Sequence, residues 1–338
     1  MKNKINFLKH PVSGLVLIAI VTILVVFSVM EKGNSLSELD PNDYMIIDVH
    51  ENLESEDSVE NLVSVMNAAN IAKMVLSAAP EEIFNYTGEK GFTNSEGNNE
   101  TVLSVAKKYD NRFYAFCTID PDDSNKVATA MDCVKEGADG FKLYNGHSFF
   151  YSYALDDDRM LGLYKYMEEK GLPVIFHVNT GNYLEQFENV LTLYPDMKVI
   201  CPHFCLSSKN PSQLATLLAT YPNLYVDISF GYKDYLASGL QRISDNVDVF
   251  KQLFAKYPDR FLFGTVAVVE DNDAEKDEEW LIDTYQTYRD VLEKNTYTTF
   301  YVADETTGEE VLLNGLALDA ATLEKIYETN WEKLMGDR

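Results

Sequence analysis

From Tyr44 onward, short runs that are apolar at nearly every position alternate with stretches in which apolar residues recur every three or four positions. The first kind predicts strands at Met45–Val49, Lys73–Ser77, Phe113–Thr118, Gly140–Leu143, Pro173–His177, Lys198–Cys201, Leu224–Asp227 and Phe261–Gly264. The second predicts helices near Val59–Ala69, Glu100–Tyr109, Lys126–Glu136, Met160–Lys170, Tyr183–Tyr194, Ser212–Tyr221, Val247–Tyr257 and Glu279–Lys294. Strands with so little polar alternation are buried on both faces, as in a parallel sheet covered by helices. Tyr194-Pro195, Tyr221-Pro222 and Tyr257-Pro258 each end a helix, because proline cannot continue one, while Gly137 and Gly171 supply glycine C-caps. Eight strand–helix units over roughly 250 residues fit an α/β fold of the (β/α)8 TIM-barrel type better than a doubly wound sheet. Thr296–Leu318 then reads as a hairpin or loop insertion, and Asp319 caps a closing helix that runs to Met335.

The chain ahead of the barrel has a different pattern. Residues 11–30 carry no charge and are long enough, at helical rise, to cross a bilayer's hydrocarbon layer. Lys2, Lys4 and Lys9 precede them, and the first acid is Glu31. The positive-inside rule therefore predicts a cytoplasmic tail (1–10), one transmembrane helix (11–30), a polar linker (31–43) and a barrel (44–338) on the extracytoplasmic side of the cell membrane. A cleaved signal peptide is the competing reading, but no small-x-small cleavage site follows the apolar run.

Charge narrows the partners. With 28 Lys+Arg against 54 Asp+Glu in 338 residues, the net charge of −26 repels a phosphate backbone, so nucleic acid is excluded as a natural partner. A small-molecule substrate, the lipid bilayer through residues 11–30 and a possible homodimer remain. Four cysteines are too few to build a scaffold of this size, and Cys117 and Cys201 fall in apolar runs, so buried thiols are the expected state.

Of five histidines, four (His50, His147, His177 and His203) lie at or just after the ends of predicted strands one, four, five and six. That is the rim of a barrel where ligands and catalytic groups gather. Asp48, His50 and Asn52 alternate along strand one and so are expected on one face. Lys142 lies on strand four, where it either faces a substrate or pairs with a barrel acid such as Asp48 or Asp227. The loop Tyr144–Tyr153 gathers aromatic side chains around His147, as a lid or as packing against a neighbour.

Ile47-Asp48-Val49-His50-Glu51-Asn52 resembles the strand-one Asp-x-His-x-His signature of the amidohydrolase superfamily, nearest to its amidohydrolase-related branch of hydrolases and decarboxylases. Gly140-Phe141-Lys142-Leu143, the runs ending at His177 and His203, Leu224–Ser229, Arg260–Thr265 and the late Asn330 are similar to the branch's later motifs, in order. The resemblance implies one divalent, zinc-like ion at the barrel mouth, with His50 and His177 as ligands and His203 as base. Beside these, Lys142 is a candidate catalytic cation, and Asn52, Tyr144 and His147 are candidate substrate contacts. Two positions depart from the pattern. Asn52 stands where a second histidine ligand is expected and Val266 where a carboxylate is expected. Three readings stay open. Glu51, Glu270, Asp271 or Cys205 rebuilds the metal site; His203 and Lys142 work without metal, helped by His50 or His177; or the barrel only binds. The reading carried forward is a membrane-anchored hydrolase of a small carbonyl compound, with a metal-independent hydrolase or decarboxylase and a surface binding protein as alternatives.

Overall fold

The computed structural model describes residues 44–85, 91–109, 111–231, 233–271, 275–304 and 306–336. The expected tail, membrane span and linker (1–43) lie outside these residues. Among the described residues no helix is long and apolar enough to cross a membrane.

Eight parallel strands follow one another round a nearly closed barrel: β1 (Ile46–Glu51), β2 (Ile71–Ser77), β3 (Phe113–Thr118), β4 (Gly140–Gly146), β5 (Val174–Val178), β6 (Val199–Cys201), β7 (Leu224–Asp227) and β8 (Phe261–Leu262). Val49 N–H donates to Phe263 O and Val266 N–H to His50 O, which joins the last strand to the first. The outer layer holds α1 (Val59–Ala68), α2 (Ser95–Lys108), α3 (Lys126–Glu136), α4 (Asp158–Lys170), α5 (Thr180–Leu193), α6 (Pro211–Thr220), α7 (Lys233–Asp245), α8 (Val247–Lys256) and α9 (Glu278–Glu293). Helix α7 is the element the pattern left out. Its buried Leu236, Leu240 and Ile243 share one helical face between polar neighbours. The glycine caps form as expected, with Gly137 at φ 106° and Gly171 at φ 63°. Asp319 caps the closing helix by accepting from Thr322 N–H, and the predicted hairpin pairs Thr296–Tyr297 with Leu313–Asn314.

Register corrects one expectation. Between Asp48↔Met74 and Glu51↔Leu76, β1 spends three residues where β2 spends two. This bulge breaks the strict alternation. Asp48 and Glu51 turn to the loop after β8, while His50 and Asn52 turn to the groups of the mouth. Asp48, His50 and Asn52 therefore do not share one face.

The four cysteines are paired, not free: Cys117 with Cys133 and Cys201 with Cys205. Cys117 looks out from β3 onto α3, whose buried face carries Ala130 and Cys133, so strand–helix packing brings the first pair together.

Inside the barrel, Val75, Phe116, Ile175, Ile200, Tyr225 and Leu262 form one cluster with Trp331, Leu334 and Met335 of the closing helix. Lys198 at the start of β6 donates to Leu334 O, and Asn330 donates to Pro258 O and Phe261 O at the start of β8. The closing helix thus seals the end of the barrel opposite the histidines. Trp331, 1% exposed, is the largest piece of that seal. Trp331→Ala is expected to cost about 3–5 kcal/mol, read as a lower urea midpoint at unchanged slope; a loss below about 1 kcal/mol would show that the barrel floor does not depend on it.

Candidate active site

The site grows from strand ends. On β4 and β7, alternation sends Lys142 and Asp227 inward above the apolar layers, and on β5 it does the same for His177. Lys142 and Asp227 are completely buried. Asp227 is the hub. One carboxylate oxygen accepts from His50 Nδ1 at 2.8 Å; the other accepts from His203 N–H at 2.8 Å, Ser229 N–H at 3.1 Å and the Ser229 hydroxyl at 2.6 Å. Gly264 allows this crowding, since a Cβ there would lie 3.0 Å from Asp227 Cβ and 3.2 Å from His50 Cβ.

These partners fix two tautomers. His50 donates through Nδ1, so its Nε2 accepts from Lys142 Nζ at 2.6 Å. Ser229 spends its proton on Asp227, so His203 Nδ1 donates to Ser229 Oγ at 2.7 Å, leaving the Nε2 lone pair open. Lys142 Nζ also lies 4.9 Å from the centre of the Tyr144 ring.

His203 is held in an unusual way. His203, Phe204, Cys205 and Leu206 have φ of 60°, 53°, 56° and 50°, a full left-handed turn without glycine. Each such residue costs roughly 1–2 kcal/mol. Phe204 anchors the turn between Phe230 (5.3 Å between ring centres) and Phe250 (5.8 Å). Thr180 Oγ1 donates to Cys205 O at 2.6 Å.

The four rim histidines form a chain. Ring centres are 5.4 Å apart for His50 and His203, 4.8 Å for His203 and His177, and 4.5 Å for His177 and His147. His147 belongs to the site in full, although its loop context gave little sign of it. Asn52 donates to Ser77 O at 2.8 Å and to Tyr144 Oη at 3.3 Å, so these expected substrate contacts are tied to each other. Tyr144 and Phe150 pack with Ala79 and Phe84, which makes the aromatic loop part of the wall.

Burial lowers the pKa of His50 to about 4, with the Lys142 charge adding to it and Asp227 opposing. Burial likewise takes His203 to about 3 against the pull of Asp227, and holds His177 well below the ordinary value together with its histidine neighbours. Lys142 falls to about 7 by burial, partly offset by Asp227. Burial works to raise the Asp227 carboxyl, but His50, His203 and Ser229 outweigh it and hold it below the usual carboxylate range.

The chain matches the amidohydrolase family model over residues 76–336. It belongs to the amidohydrolase family. No curated protein matches it. Among solved structures it is similar to an uncharacterised TIM-barrel protein from Bordetella bronchiseptica (19% identity, 86% of this chain and 98% of that one, TM-score 0.57). It is also similar to a probable 2-pyrone-4,6-dicarboxylic acid hydrolase from Acinetobacter baumannii (14% identity, 86% and 99%, TM-score 0.56) and to 4-oxalomesaconate hydratase from Rhodopseudomonas palustris (16% identity, 86% and 95%, TM-score 0.55). At these identities the likeness is one of fold.

Within this amidohydrolase barrel, His50, His203 and Asp227 offer ligand atoms that all lie within 4.8 Å of one another. Two imidazoles and a carboxylate suit a zinc-like ion in type and in number, so the group is placed to hold one. The expected pair, His50 and His177, is not that group: His203, read as the base, replaces His177, and Asp227 replaces the missing acid. None of the four candidates for a rebuilt ligand takes part. Glu51 accepts from the N–H groups of Asn52, Ala267 and Val268 and from Tyr285, Cys205 is in a disulfide, Asp271 accepts from Ser58, and Glu270 pairs with Lys276. Val266 sits at φ 50° in the loop that Glu51 holds. Asp227 ends an apolar strand with inward parity, the signal that could have singled it out.

His147 gives a test. Burial, with Lys142 adding, lowers its pKa to about 4, below the 6.5 of an unfolded histidine. Unfolding therefore takes up a proton at this residue between about pH 6.5 and 4, and its share of stability is lost as the pH falls through that window. Asp48 and Glu51, both raised by burial, act in the opposite sense but equally in wild type and variant. The stability of wild type is expected to fall more steeply than that of His147→Asn across the window in urea titrations. Parallel curves would mean that His147 charges freely in the folded state.

Proposed function

We propose that this chain is an outward-facing, membrane-anchored hydrolase that cleaves a small carbonyl-containing substrate at the barrel mouth. Family membership and the named activities of two structural neighbours, a hydrolase and a hydratase, support a small-molecule reaction of this kind. The observation that carries the reading is the Nε2 of His203, oriented by Asp227 and Ser229 next to His50, which in turn holds the buried Lys142.

In this reading His203 Nε2 takes a proton from the attacking water, and its Nδ1–H bond to Ser229 keeps the ring aimed while it does so. Lys142 has N–H groups beyond the one given to His50, and these stabilise the oxygen on which charge develops. His203 then returns the proton to the leaving group. Asp227 holds His50 in the tautomer that receives Lys142. His147 Nδ1 accepts from Phe149 N–H at 3.2 Å, so its proton is on Nε2, where it serves as a donor to substrate with Asn52 and Tyr144. Were His50, His203 and Asp227 to hold an ion instead, the ion would supply the polarisation of the carbonyl and the acidification of water, His203 Nε2 would be a ligand and no longer the base, and Lys142 would release His50 Nε2; His177, beside His203, would then face the substrate. Against a panel of small lactones, esters and aromatic carboxylates, the full-length chain in detergent is expected to turn over at least one. His203→Ala should slow that reaction roughly 10²–10⁴-fold. An unchanged rate in His203→Ala removes it from the mechanism, and no turnover by wild type favours the binding-protein alternative.

The membrane placement rests on the uncharged run 11–30, the three lysines before it, and the two disulfides, which persist in oxidising compartments. Protease added outside intact spheroplasts is expected to degrade the barrel and spare a tag on Met1; protection of the barrel until lysis would reverse the orientation.

A further inference from the structure

The left-handed turn that presents His203 is spanned end to end by a covalent bond. Cys201 and Cys205 are four residues apart with Cα atoms 4.8 Å from each other, whereas an extended segment of that length would separate them by roughly 13 Å. The bond therefore commits the backbone between them to a tight turn. Inside it, four successive residues take a conformation that L side chains avoid. Both cysteines are completely buried, so the bond is shielded from reductants in solution. The other disulfide joins β3 to α3 within the apolar cluster between strands and helices.

We propose that the Cys201–Cys205 disulfide is a positioning element of the active site, locking the left-handed turn that delivers the His203 N–H to Asp227 and its ring to Ser229. The inference rests on His203 belonging to the active site, as argued above. Phe204 and Thr180 anchor the turn at its middle and its exit. The disulfide adds a covalent tie from its start to that exit, which an opened segment could not span. Once the turn opens, the His203 N–H leaves the Asp227 oxygen that it now shares with Ser229, and the ring loses the neighbour that fixes its tautomer.

The test needs no substrate, so it stands even if the hydrolase reading fails. Full-length protein labelled with ¹⁵N-histidine carries only five imidazoles, and His203 is assigned by its absence in His203→Ala. In C201S/C205S the His203 ring is expected to lose its single Nδ1–H tautomer, and its backbone amide to exchange at least about tenfold faster. C117S/C133S should leave both unchanged. Adding Leu206→Gly to C201S/C205S should recover part of the protection, because glycine enters positive φ freely. If C201S/C205S does not fold, C117S/C133S protein unfolded and refolded in the presence of dithiothreitol, which reaches the bond while the chain is open, carries the same two readouts. The dithiol passes two electrons and two protons to the Cys201–Cys205 bond, giving two thiols and cyclic oxidised dithiothreitol. An unaltered His203 tautomer and exchange rate in the folded, bond-free protein overturns the proposal, as does an equal effect of C117S/C133S.

Discussion

One buried carboxylate organises this molecule's working end. Asp227 receives His50 on one oxygen and the His203 backbone and Ser229 on the other, so its charge is spread over four donors from three segments of the chain. A carboxylate this deep is stable only when its hydrogen bonds outweigh the lost hydration, as they do here. The arrangement fixes both imidazoles and, through His50, sets the place of Lys142. The local chemistry is the product of this network more than of any single side chain.

The eight strands were legible because their apolar runs are bounded by proline and glycine and are uniform enough to require cover on both faces. The convergence of His50, His177 and His203 was legible because parallel strand ends meet at one rim. What failed was what depends on departures from regular geometry. The bulge in β1 undid the parity of Asp48 and His50, and no composition signal marks an extra residue inside an apolar strand. The left-handed turn at His203–Leu206 lacks glycine, so nothing in the sequence announces it. The Cys117–Cys133 bond becomes visible only after α3 packs on β3.

Helix α7 is a different kind of omission. Leu236, Leu240 and Ile243 are spaced for a helical face, and the polar residues around them sharpen it, so this helix is as legible in the pattern as those predicted from it. The sequence pattern points to Asp227 only as a partner for Lys142. Its inward parity on β7 was available, and it became decisive once His50 and His203 were seen to approach it from opposite sides.

Glu51 shapes what this barrel could become. By gathering the amides of Ala267 and Val268 it holds the loop after β8 with Val266 and Val268 both at positive φ, a conformation that β-branched residues rarely accept. A carboxylate installed at position 266 would inherit that reversed backbone and emerge in a direction chosen by Glu51, not by an ion. A metal-binding side chain at position 266 is therefore contingent on the loop as much as on the residue: with Glu51 still holding the amides of Ala267 and Val268, that substitution alone meets a backbone already committed elsewhere.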